Sequence, residues 1–247
     1  MKYPVTDTQL QLVIGSLLGD GHICKSNGTK GNASIRWRHG IKQREYLEWK
    51  NSLLEDLAGS GVKEQKGSGY SDTTICYAVS KYSAKLNPFM ELFGKPKKVT
   101  RKMLNLLSPL GIAIWYMDDG CLDQRFYRNK LGGVGVAWRR AKFSTNSFTL
   151  KEHYIMQRYF QVVHGMKASI CKSGKGYCLH LNRQSTEKLI ELIRPYIHES
   201  MLYKIDLTRG SIKELIQRDA SHTNESDDIV CTSMKVEEDA EMTSRQN

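Results

Sequence analysis

The chain has 247 residues, of which 40% are hydrophobic and 26% charged, with a formal net charge of +11. Such a length holds one large domain or two of about 100 residues, and the composition is that of a soluble globular protein. No apolar run approaches the ~20 residues of a membrane span, which excludes a helical membrane protein, and Met1-Lys2-Tyr3-Pro4 opens no signal or transit peptide. Intracellular action in the compartment of synthesis is expected, and an organelle (mitochondrion or plastid), a bacterium or a phage-infected cell would all suit. Charge is uneven: residues 219–247 carry eight acids and two bases, leaving residues 1–218 with a net charge of +17. So basic a body expects a polyanionic partner, nucleic acid before membrane. The six cysteines form no C-x-x-C pair. Cys171, Cys178 and His180 come nearest to ligand spacing, yet fit a strand–turn–strand better than a zinc site, and free thiols are expected.

In chain order, Thr6-x-x-Gln9 predicts a capping box, with Val5 as staple, for a helix whose apolar run 10–18 ends at Gly21. Residues 33–42 alternate, Ile35, Trp37 and His39 against Arg36, Arg38 and Lys42, which predicts a half-buried strand with a cationic outer face. Apolar positions over 44–58 repeat at helical period. A Gly/Ser-rich turn at 66–69 leads to a second strand pair ending near 74–81, and a helix around 84–93 closes the first half. Ser108-Pro109 is an N-cap and N1 pair for a helix running to Gly120. A strand over 133–143 adds Arg139, Arg140 and Lys142. Thr149-x-x-Glu152 opens a helix to about residue 163, residues 167–182 form a hairpin, and Ser185 caps a helix to about 194. The order is thus played twice, predicting similar subdomains at 1–97 and 98–207, with an extension at 208–247 disordered from about 219.

Two helix ends stand out. Val13-Ile14-Gly15-Ser16-Leu17-Leu18-Gly19-Asp20-Gly21 and Ile112-Ala113-Ile114-Trp115-Tyr116-Met117-Asp118-Asp119-Gly120 align with Asp20 on Asp119. An acid in the last turn of a buried helix opposes the helix dipole and costs desolvation. One such end is satisfied by a surface acid and a capping glycine; an aligned pair suggests a divalent cation held between two acids. Gly15-x-x-x-Gly19 clears a stripe for a partner helix, and if that partner is 108–120, Asp20 and Asp119 share a floor. Carboxylates and the free carbonyls of helix ends, such as that of Gly19, are hard donors that suit Mg²⁺, with Mn²⁺ a possible substitute. Two acids, a metal and cationic surroundings suit phosphodiester hydrolysis. Asp118, next to Asp119, is a further candidate ligand, turned about 100° around the helix, where local hydrogen bonds could equally occupy it.

These segments resemble the paired motifs of the LAGLIDADG homing endonucleases, in their monomeric, two-motif, intron-encoded branch. Leu107-Ser108-Pro109-Leu110 through Gly120 is typical of that branch, as are Ser144-Thr145-Asn146-Ser147-Phe148-Thr149, Pro195-Tyr196-Ile197 and Met201-Leu202-Tyr203-Lys204. The resemblance covers roughly residues 10–207, with Gly19 replacing the usual alanine of the first motif. It implies an α+β fold of two pseudo-symmetric αββαββα subdomains, with saddle-shaped antiparallel sheets and a central pair of motif helices. It also implies Asp20 and Asp119 as metal-binding catalytic acids, assisted by Lys98 and Lys204, with Lys97 a rival for Lys98. Gln43 and Asn146 fall at matching places where amides could orient water.

On that fold the DNA-facing candidates are Arg36, Arg38, Lys42, Arg139, Arg140 and Lys142, with Lys172 and Lys175 at the hairpin tip. Arginines suit guanine edges and lysines phosphates. Trp37 and Trp138 are expected in the core rather than stacked on bases. The implied activity is site-specific double-strand cleavage of a long, asymmetric DNA. An RNA maturase acting on host intron RNA is the alternative, since RNA binding needs the basic surface alone; both acids are present, which favours the nuclease.

Overall fold

The computed structural model describes residues 3–26, 31–66, 74–94, 96–130 and 133–208. The first half runs α1 (Asp7–Leu18), β1 (His22–Lys25), β2 (Ala33–Gly40), α2 (Arg44–Ser52), β3 (Lys63–Lys66), β4 (Thr74–Val79) and α3 (Asn87–Phe93). A short α4 (Arg101–Leu104) leads into the second: α5 (Pro109–Asp119), β5 (Gly120–Arg128), β6 (Val134–Phe143), α6 (Leu150–His164), β7 (Ala168–Ser173), β8 (Gly176–Leu181) and α7 (Arg183–Ile193). Each half is αββαββα, and its four-stranded sheet has the order first, second, fourth, third. The duplication expected from two helix tips therefore extends to strand topology.

Local chemistry explains most boundaries. Thr6 and Gln9 close a reciprocal capping box on α1, and Thr149 and Glu152 do the same on α6. Ser108 is the N-cap of α5, with Pro109 in its first turn. Three helix boundaries differ from the sequence reading. The helix expected over 44–58 stops at Ser52 and resumes only as a 3₁₀ turn at Glu55–Leu57. The buried Gln9 side chain reaches across to donate to the Leu54 carbonyl at 2.7 Å and Asp56 Oδ1 at 2.9 Å, a tertiary stop that no local pattern displays. The helix around 84–93 begins as a 3₁₀ turn over Ala84–Leu86. The cap of α7 is Asn182, which accepts from the Ser185 N–H, whereas Ser185 Oγ accepts from Lys167. Strands β1 and β5, which the αββαββα order requires though no residue range was assigned to them, leave directly from the two Asp-Gly tips. The turn at 66–69 falls mostly, and the tail from 219 wholly, outside the described residues.

Leu12, Val13, Ile14, Leu17 and Leu18 of α1 and Ile112 to Met117 of α5 are fully buried, so both motif helices run through the core. Among the described residues, no helix is long and apolar enough to cross a membrane. The five described cysteines are all free thiols, and Cys171 lies directly opposite Cys178 in the β7–β8 hairpin, as its strand–turn–strand spacing implies. The described residues within 1–123 and 139–206 form one compact unit. Gln124–Trp138, the far part of the β5–β6 hairpin, falls in another; there Tyr127 covers Gly135 so closely that a Cβ on that glycine would meet its ring at 2.6 Å. Trp138, expected in the core, is 41% exposed.

Candidate active site

The two motif helices touch backbone to backbone. A Cβ on Gly15 would lie 2.4 Å from the Gly111 carbonyl oxygen, and one on Gly19 would lie 2.5 Å from Asp118 Cβ. Gln11 of α1 locks the register by donating to Leu106 O at 2.9 Å and accepting from Ser108 N at 2.7 Å. Because Gly15 and Gly19 bring no side chain to the crossing, the helix ends meet, and Asp119 feels the charge of Asp20. Burial and the nearby Asp118 push the Asp20 carboxyl up to about 6. Burial, then Asp20 and Asp118, push Asp119 up to about 7. Two half-desolvated acids that hold protons this tightly form a donor set that a divalent cation would relieve.

Two lysines complete the centre in matching fashion. Lys97 Nζ lies 3.4 Å from the Gly19 carbonyl and 5.3 Å above the Phe148 ring. Lys204 Nζ donates to the carbonyls of Met117 at 2.5 Å and Asp118 at 3.2 Å. Each therefore holds the carbonyl just before a motif acid. Burial lowers both ammonium groups from the usual lysine range, against the pull of the acids. Lys98, favoured by spacing, is exposed, and its backbone N–H is tied to Phe93 O at 2.7 Å. The turn after α3 delivers Lys97 instead, a choice set by loop geometry that residue counting could not make.

Asp118 has left the helix surface for the interior. Its carboxylate accepts from Lys50 Nζ at 2.9 Å on both oxygens and from the Tyr46 hydroxyl at 2.8 Å, with the Lys50 and Asp118 side chains fully buried. These partners lie on α2, far along the chain, so the local hydrogen bonds weighed for a helix-end acid are not what occupies it. Lys50 Nζ also stands 5.1 Å from the Trp37 ring and 5.2 Å from Tyr46, and burial lowers its pKa against the attraction of Asp118. His39 lies between acids: Nδ1 is 3.6 Å from Asp20 Oδ2 and Nε2 is 4.0 Å from Asp118 Oδ1. Burial, then the Lys50 charge, hold its pKa down to about 4, so it is neutral at pH 7. Ligand atoms of Asp20, His39 and Asp118 all lie within 4.8 Å of one another. His39, Tyr46 and Lys50 were invisible as site residues in the sequence, where they read as an inward strand position and two positions of an amphipathic helix.

The remaining candidates divide. Gln43 reaches the centre, with Oε1 3.1 Å from His39 Nδ1 and Nε2 donating to the Tyr203 hydroxyl at 3.3 Å. Asn146 donates instead to Ser173 O of the β7–β8 hairpin at 2.8 Å. On the first sheet Ile35, Trp37 and His39 are buried, which turns Arg36 and Arg38 to the opposite face. The register adds Tyr77 and Lys63 beside Arg38, two residues the sequence reading missed. Lys42 is exposed but sits in the 3₁₀ turn Ile41–Gln43, past the strand. On the second sheet Ala141 and Phe143 are buried, so Arg140 and Lys142 face away from the helices while Arg139 faces toward them. Arg139 accordingly is 9% exposed and pairs with Glu187 of α7 at 3.5 Å, which removes it from the DNA-facing set. Arg140 lies 3.5 Å from Asp123, and Lys172 and Lys175 are exposed at the hairpin tip.

A duplicated αββαββα chain whose glycine-packed central helices end on paired acids defines the two-motif LAGLIDADG class. The model of the LAGLIDADG DNA endonuclease family matches residues 10–189, and the chain belongs to that family. It is 31% identical over 206 residues to the protein RecA of Mycolicibacterium flavescens, across 81% of this chain and 47% of that relative. It is 28% identical over 218 residues to the cytochrome b mRNA maturase bI2 of Saccharomyces cerevisiae, across 82% of this chain and 48% of the maturase. The chain thus spans about half the length of these relatives. Among solved structures, the homing endonuclease I-WcaI bound to its DNA recognition sequence superposes with a TM-score of 0.69 at 19% identity, over 81% of this chain and 87% of that one. The LAGLIDADG homing endonuclease I-SmaMI bound to cleaved DNA gives 0.50 at 14% identity, over 86% and 91%.

Proposed function

We propose that the chain is a site-specific DNA endonuclease that cuts both strands of a long asymmetric duplex by hydrolysing one phosphodiester in each, using Mg²⁺ or, in its place, Mn²⁺. One observation carries this reading: Asp20 and Asp119 converge at the tips of two backbone-packed helices, each tip held by a half-buried lysine. Asp20 and Asp119 would hold the cation, with the Gly19 carbonyl at the same floor. When bound, such a cation polarises phosphate oxygens and acidifies water. Lys97 and Lys204 brace the acids through the adjacent carbonyls and place positive charge where negative charge grows on the phosphate. Gln43, 3.1 Å from His39 Nδ1, would be the amide that orients water. Arg36, Arg38 and Lys63 on one sheet, and Arg140 and Lys142 on the other, supply cations for phosphates and guanine edges, joined by Lys42, Lys172 and Lys175.

A supercoiled-plasmid target library, assayed with and without Mg²⁺, tests the reading. Asp20→Asn and Asp119→Asn should each lower double-strand cleavage by about 1000-fold or more while binding stays within about 3-fold. Full cleavage by either variant refutes the metal assignment. Duplex affinity should fall steeply with rising salt through counterion release. The bI2 relatives favour a second reading, an RNA maturase acting on intron RNA. In that case splicing assistance survives both Asp→Asn substitutions.

A further inference from the structure

The core of the first half beside the motif helices holds an ion pair, whereas the corresponding core of the second half is aromatic. Asp118 belongs to α5, but its Cβ packs over Gly19, where any side chain would collide with it, and its carboxylate enters the first half to meet Lys50 and Tyr46. His39 stands between this carboxylate and Asp20. Its Nδ1 lies 3.1 Å from Gln43 Oε1 and 3.6 Å from Asp20 Oδ2, and its Nε2 points the other way. That Nε2 is buried without a hydrogen-bond partner and faces Asp118, while the ring lies edge-on to Tyr46 with centroids 5.6 Å apart. In the second half, Phe143 occupies the end of β6, much as His39 lies near the end of β2. It packs on Trp115 at 4.5 Å and on Tyr116 and Phe160 at 5.4 Å. A benzyl ring there offers no polar atom to orient a carboxylate.

We propose that Lys50, Asp118 and His39 are positioning residues for Asp20, whose carboxylate His39 faces, so that the two half-sites are chemically unequal and their strand cuts can be uncoupled. The proposal rests on the nuclease reading and makes a counterintuitive claim. Although Asp118 adjoins Asp119 in sequence, its loss damages the other half-site.

Target duplexes selected from a randomised library and labelled on each strand in turn give one cutting rate per strand. His39→Phe, which installs the residue type of the second half, and Asp118→Asn should slow the same single strand by about 10-fold or more, since small misplacements of a reacting group carry penalties of that order. The opposite strand should stay within about 2-fold of the parent rate, so nicked DNA accumulates. Equal slowing of both strands, unchanged rates, or opposite strands slowed by the two variants overturns the proposal. If the parent chain binds duplex yet cuts nothing, the nuclease reading fails separately. The ring ¹⁵N shifts of His39, read without DNA, then decide the positioning claim. Asp118→Asn moves them and Asp119→Asn does not; shifts that ignore Asp118→Asn overturn it.

Discussion

The two halves of the chain share strand order, capping boxes and the lysine-held carbonyl before each acid, yet they fill the space behind those acids by opposite means. The first uses a buried Lys50–Asp118 pair with Tyr46 and His39; the second uses Trp115, Phe143 and Phe160. Divergence of this kind shows which parts of a duplicated scaffold are constrained. The helix crossing is, because a Cβ on Gly15 would strike the backbone of Gly111. The layer behind it is not, because a salt-bridged cluster and an aromatic one can occupy similar volume. The ionic solution is the fragile one: a buried pair adds little net stability, but losing one member strands the other charge.

The largest expected effect breaks that contrast directly. Lys50→Met should destabilise the fold by about 3–5 kcal/mol in urea denaturation, because Asp118 is left charged and dry. Lys50→Met combined with Asp118→Leu should recover most of the loss, turning the first half apolar like the second. If the single substitution proves neutral, the cluster is not held by its charges.

A second effect concerns protons. Asp20 at about 6 and Asp119 at about 7 are raised above their ordinary values, so the folded, cation-free protein binds more protons than the unfolded chain. The stability these two confer is complete below about pH 4 and fades as pH rises through 6 and 7. His39, lowered to about 4, acts in reverse: its contribution is present above about 6.5 and fades as pH falls toward 4. A cation must displace the protons of both acids, so the Mg²⁺-induced rise in Tm should be negligible near pH 5 and reach its maximum only above pH 7. Asp119→Asn should shrink that rise and leave only the step near pH 6. A Tm increment that is the same at all pH values would place the cation elsewhere.

The smallest effect tests how alike the halves are. In both capping boxes the third helical residue also serves a distant segment: Gln9 donates to Leu54 O, and Glu152 accepts from Val99 N at 2.7 Å. Thr6→Ala and Thr149→Ala should each cost about 1 kcal/mol in chemical denaturation. A difference of more than about twofold between them would show that the repeats differ in their caps as well as in their interiors.

Much of this molecule is written locally. Thr6-x-x-Gln9, Ser108-Pro109 and Thr149-x-x-Glu152 mark helix starts because capping chemistry acts within one turn. Ile35, Trp37 and His39 mark an inward strand face because side chains alternate with period two. Parity also explains an error: Arg139 and Arg140 cannot share a face, and which of them faces outward depends on the buried positions Ala141 and Phe143 rather than on charge. The exposure of Lys98 has a related cause, since its spacing from Asp20 says nothing about the path of the turn that presents Lys97 to the Gly19 carbonyl.

Taken alone, the sequence determined the duplication, the glycine stripe that lets two helices meet, the two terminal acids and the basic excess of the body, because each is a property of residue type at short range. Only the tertiary structure decided which lysine attends the first acid, that Asp118 crosses into the opposite half to join Lys50, and that His39 stands beside Asp20. Those partnerships join residues some twenty to eighty positions apart, and packing, which no local period encodes, selects them.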